Sequence, residues 1–115
     1  MLAAALASCA APGDDLFRSA YDDDATAAAI GERLRGRLLE RLPPGQADLY
    51  TAVRTLTQAG ARCRPADPGG QRCTYTLLRP PGSSGGPLGG RRFVHFDVDL
   101  LAMGARLDDI QVLVN

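Results

Sequence analysis

The chain has 115 residues, with 13 basic and 13 acidic side chains that cancel at neutral pH, and every basic residue is arginine. That balance argues against a nucleic-acid binder, which would show a basic excess, and no stretch approaches the ~18 apolar residues of a membrane-spanning helix. What remains after a leader and a tether is one domain of about 100 residues, large enough for a single core and close to the size at which a cross-link helps.

The first informative stretch is Leu2-Ala3-Ala4-Ala5-Leu6-Ala7-Ser8-Cys9. Leu6-Ala7-Ser8-Cys9 resembles a bacterial lipobox, in which small side chains admit a signal peptidase and the cysteine thiol takes a diacylglyceryl group. The resemblance implies a signal peptide over 1–8 and a lipidated Cys9 as the mature N-terminus. It implies membrane attachment through several acyl chains, which together hold where one would not. No Lys or Arg precedes Cys9, and the apolar run is shorter than the ~7–15 residues of a signal core, so either the start codon lies upstream or the signal is imperfect. Ala10 after the cysteine resembles outer-membrane-sorted members of the class, facing the periplasm; a soluble secreted or periplasmic form is the alternative. Residues 9–15, with Pro12, Gly13, Asp14 and Asp15, have nothing with which to build a core and suit a tether. The domain is expected over 16–115.

Phe17 and Tyr21 lie one helical turn apart in a short apolar patch. Asp22-Asp23-Asp24 then stand where a helix wants a cap and negative charge. Calcium ligation by these aspartates would need alternating ligands followed by Gly, and that spacing is absent. Ile30, Leu34, Leu38 and Leu42 recur every fourth residue, and Pro43-Pro44 ends the helix. Arg33, Arg37 and Arg41 form a second stripe, either a strip for lipid headgroups or a solvated face. Pro44-Gly45-Gln46 is expected to open a second helix with Leu49, Ala52, Val53 and Leu56 on one side, stopped by Gly60.

From Ala61 the hydrophobic period becomes two. Strands are expected near 62–64, over 72–78, over 92–100 and over 109–114, with a turn at Met103-Gly104-Ala105. Asp67-Pro68-Gly69-Gly70 is a turn signal, and a hairpin folded about Pro68 sets Cys63 opposite Cys73 within disulfide range. With Cys9 assigned to lipid, these two are left as a pair, which an oxidising periplasm would join. The stretch 80–90, rich in Pro, Gly and Ser, reads as a mobile loop. The whole predicts an α+β fold, two N-terminal helices packed on one face of a three- to four-stranded antiparallel meander.

His95, Asp97 and Asp99 alternate along one strand face and are the constellation of metal-ligand types in the chain. Neighbours in this row would project about 7 Å apart, so one ion could be shared by adjacent members but by all three only if the strand bent. Their bland reading is the wet side of a strand, and no metal, cofactor or catalytic residue is assigned. The order of elements, with Leu42-Pro43-Pro44-Gly45 before a helix, resembles the SmpA/OmlA (BamE-like) group of small outer-membrane-assembly lipoproteins. That resemblance implies a noncatalytic envelope protein with an envelope-protein partner and no role in nucleic-acid binding. Two alternatives stand beside it: a periplasmic metal-binding or catalytic protein using His95 and Asp97, and a small enzyme inhibitor presenting loop 80–90.

Overall fold

A computed structural model of the chain describes residues 16–82 and 85–115. The leader, Cys9 and the tether over 9–15 lie outside the described residues. The fold is α+β, with helices α1 (Leu16–Ala20), α2 (Ala27–Arg41) and α3 (Leu49–Gln58) followed by strands β1 (Arg62–Ala66), β2 (Gly70–Leu78), β3 (Phe93–Met103) and β4 (Arg106–Val114). The strands form one antiparallel sheet in the order β1-β2-β3-β4.

Helix α2 forms where the four-residue apolar period demands it, and Ile30, Leu34 and Leu38 are buried along its stripe. Its cap is not one of the three aspartates. Thr26 holds the extended cap conformation and its Oγ1 accepts the Ala29 N–H at 3.1 Å, while Asp22 closes a local turn on the Asp24 N–H. The aspartates stand too early because Ala25 and Thr26 intervene, and a threonine hydroxyl serves a helix start about as well as a carboxylate.

The second long helix also starts later than Pro44. Residues 43–46 form a turn, and Asp48 caps α3 by accepting the Thr51 N–H at 2.7 Å. At its end Ala61 N–H donates to Leu56 O and Gly60 N–H to Thr57 O, the paired bonds of a Schellman stop. Gly60 makes this possible with φ of +102°, a value disfavoured for residues bearing a Cβ.

Cys63 and Cys73 are register partners with Cα atoms 4.0 Å apart and sulfurs 2.01 Å apart, a pair at disulfide distance. Strand β3 alternates as its sequence requires, with Val94, Phe96, Val98 and Leu100 buried and His95 exposed between them. β4 begins at Arg106, immediately after a two-residue Gly104-Ala105 turn, three residues earlier than its pattern suggested. The reason is a bulge: Leu101 pairs with Asp109 but Ala102 with Leu107, leaving Asp108 as the extra residue. The insertion lets Leu107 and Ile110, three apart in sequence, both reach the core.

One cluster of buried side chains draws on all three helices and on one side of the sheet. Phe17 lies at its centre, stacked on Tyr75 with ring centroids 4.2 Å apart and edge-on to Phe96 at 5.3 Å. Such ring pairs add about 0.5–1.5 kcal/mol beyond the area they bury.

Candidate functional site

The face of the sheet opposite the core carries His95, Asp97 and Asp99 in one row, as the alternation requires, and each meets a different cross-strand neighbour. His95 Nδ1 is 3.0 Å from Thr76 Oγ1. Asp99 accepts two bonds from Arg72, Nε at 2.7 Å and Nη2 at 3.2 Å. Asp97 stands between Thr74 and Leu113 in the register. Among the described residues no group of three or more His, Cys, Asp or Glu side chains is placed to hold a metal ion. The strand therefore brings the three residues onto one face without converging them on a point.

Around this row the outer face is mixed. Arg62, Arg64 and Arg72 occupy the β1 and β2 side, and Leu78, Phe93 and Leu113 are large apolar side chains left exposed. Leu78 and Phe93 are register partners and make a small apolar patch at one end.

A second cluster was not anticipated from sequence. Arg79 follows directly on β2 with a side chain only 1% exposed. Its guanidinium donates to Tyr21 Oη at 3.0 Å, Asp23 Oδ1 at 2.6 Å, Gly89 O at 2.5 Å and Arg91 O at 2.7 Å. The signal was legible: β2 sends Cys73, Tyr75 and Leu77 to the core side, and the same period of two carries Arg79 there. The carbonyls of 85–91 bend around this group, Leu88 is buried, and Gly86 lies so close to the Asp23 carbonyl that an added Cβ would stand 2.4 Å from the oxygen. Burial, then the hydrogen bond to Asp23, holds the Tyr21 phenol above its ordinary range. The bond to Asp23, then that to Tyr21, raises Arg79 further still. No buried side-chain donor or acceptor among the described residues lacks a partner, so the Arg79 cluster acts as a clamp on the structure.

Two arginines of the α2 stripe reach back to the first helix and the turn after it, although Arg33 and Arg41 remain exposed. Arg33 approaches Asp22 at 3.7 Å and Arg37 donates to the Ser19 hydroxyl. Arg35, outside that stripe, has the more consequential position. Its Nε donates to Ile110 O at 2.8 Å and its Nη2 to Asp109 Oδ1 at 3.2 Å, while the same carboxylate oxygen accepts the Ile110 N–H at 2.8 Å. Both edge-pointing backbone groups of Ile110 are thereby occupied.

Further along the same edge the α2–α3 connection lies against the start of β4. Gly45 N–H donates to Leu107 O, Leu107 N–H to Ala47 O and Leu49 N–H to Ala105 O, at 2.8–3.0 Å. A groove of about 720 Å³ opens beside this junction, lined by residues 45–48 and by Met103 and 105–108. The opposite edge, β1, has no such cover among the described residues.

No protein family, no curated protein and no solved structure matches this chain.

Proposed function

We propose that the protein is a noncatalytic, lipid-anchored protein of the bacterial cell envelope that binds another envelope protein through the uncovered face of its sheet. The observation that carries this reading is the asymmetry of that sheet. Val94, Phe96, Val98 and Leu100 are wholly buried within the core cluster, while Leu78, Phe93 and Leu113 on the other side are about half exposed or more. Exposed apolar side chains interleaved with paired polar groups are the composition of a protein-binding surface. The Cys63 and Cys73 pair at bonding distance supports an oxidising compartment, and Cys9 is the residue that would carry the anchor.

The test has two parts. Intact mass of the membrane-fraction protein, expressed with its native upstream region and taken before and after reduction, should give a chain beginning at lipidated Cys9 that gains two hydrogens. A photocrosslinking side chain at His95 or Leu113 should capture a partner in cells, whereas one at Glu32 on the exposed side of α2 should not. An unmodified soluble chain sinks the anchor, and equal or absent crosslinks from both faces sink the binding surface.

A further inference from the structure

Resting on the protein-binding reading above, we infer that the free edge of β1 accepts an added strand from a partner protein, and that this strand carries acidic side chains at alternate positions. The backbone geometry comes first. Cys63 and Cys73 face each other with Cα atoms 4.0 Å apart, the close spacing of a non-hydrogen-bonded antiparallel pair. In such a pair the N–H and C=O of each residue point away from the partner strand. Cys63 therefore presents both groups outward, and Pro65, two residues on, presents its C=O alone. No described backbone group bonds to them. An edge of this kind is a template for strand addition.

Charge then selects the occupant. Arg62 and Arg64 flank Cys63, are exposed on the outer face, and have no ion-pair partner among the described residues. The residues of an added strand directly opposite them lie two apart on that same face, so acidic side chains at i and i+2 meet both guanidiniums. A second copy of this chain is disfavoured by the same residues. Two β1 edges paired antiparallel about Cys63 would set arginine against arginine, and like charges directly opposed are destabilising. Pro65 withholds one donor and keeps the pairing short, so affinity depends on the arginines more than on ladder length.

The probe is a short blocked peptide alternating glutamate with valine, titrated into the full chain with its cysteines paired and followed by amide exchange and chemical shift. Slowed exchange of the Cys63 N–H, with binding weakened on the order of tenfold in the Arg62→Glu/Arg64→Glu variant and by added salt, is the expected result. Circular dichroism of that variant should match the parent, since both side chains are exposed. A lysine-for-glutamate peptide should not bind, and N-methylation of the peptide bonds facing Cys63 should abolish pairing. Binding that survives N-methylation or the charge reversal, or an unchanged Cys63 amide, overturns the inference. Retained crosslinks from Leu113 alongside such a result would overturn the edge alone and leave the broader protein-binding reading standing.

Discussion

Along β4, Leu107 exchanges hydrogen bonds with the α2–α3 connection, Ile110 is plugged by Arg35 and Asp109, and Gly31 of α2 lies against Val112 and Val114. Along β1, by contrast, the outward backbone groups of Cys63 and Pro65 have no backbone partner, and Arg62 and Arg64 no ion-pair partner, among the described residues. A bare edge strand invites unwanted pairing, and proteins suppress it by cover, charge or proline. This fold uses cover on one edge, and charge and proline on the other. The second solution leaves the edge accessible while restricting what can join it, and β1, with no outer neighbour among the described residues, is tied to β2 by its cysteines.

That division of labour can be broken one device at a time. The largest effect is expected from Cys63→Ala/Cys73→Ala. Closing so short a loop contributes about 2.5–3 kcal/mol in the chain-entropy model, so denaturant unfolding should show a loss of that size. Amide exchange should quicken in β1 and stay unchanged in β4, and equal loosening of both edges would contradict the contrast. Next comes Arg35→Met, which keeps the aliphatic packing and strips the plug. Leaving the Ile110 carbonyl and the Asp109 carboxylate without their partner should cost about 1–2 kcal/mol, read from urea midpoints with exchange at β4 rising selectively. Gly31→Ala is a smaller change of opposite sign. An added Cβ would sit 3.4 Å from Val114 Cγ2, an ordinary contact, and the gain in helix propensity should raise Tm by the equivalent of up to about 1 kcal/mol. Gly31→Leu should instead lever α2 off the edge and lower Tm.

The smallest effect concerns pH. Asp48 caps α3 beside the docked connection, and the hydrogen bonds from Thr51, side chain first and backbone second, hold its carboxyl below the ordinary range. A folded-state value below the unfolded one means the contribution is present above about pH 3.9 and lost as pH falls through the lowered value. Tm of the parent should therefore fall relative to Asp48→Asn as the solution is acidified past that point. Parallel curves would remove Asp48 from the account.

Much of this architecture was legible because period and punctuation were strong. Ile30, Leu34 and Leu38, the alternation from Val94 to Leu100, and the symmetric placement of Cys63 and Cys73 about Pro68 each admit few alternatives. Boundaries were less so: Thr26 and Asp48 cap their helices from positions that the conspicuous Asp22-Asp23-Asp24 and Pro44-Gly45 obscured. A bulge leaves no mark in a periodic pattern except a broken phase, and Leu107 with Ile110 was that mark. The row of His95, Asp97 and Asp99 was placed correctly on one face, yet its cross-strand neighbours, Thr76 and Arg72, depend on register and could not be read from the strand alone. Arg35 and Arg79 were missed because each acts on backbone carbonyls distant in sequence, and a carbonyl has no sequence signature.

The Arg79 clamp also decides how the domain carries a load. A pull on the chain ahead of Leu16 reaches Phe17, wedged between Tyr75 and Phe96, and then Tyr21 and Asp23, gripped by a guanidinium that is covalently continuous with β2. Tension entering at the first helix therefore passes directly into the second strand of the sheet. There it meets stacked rings and several hydrogen bonds acting together, so the first helix is held by side chains of the sheet as well as by its own backbone.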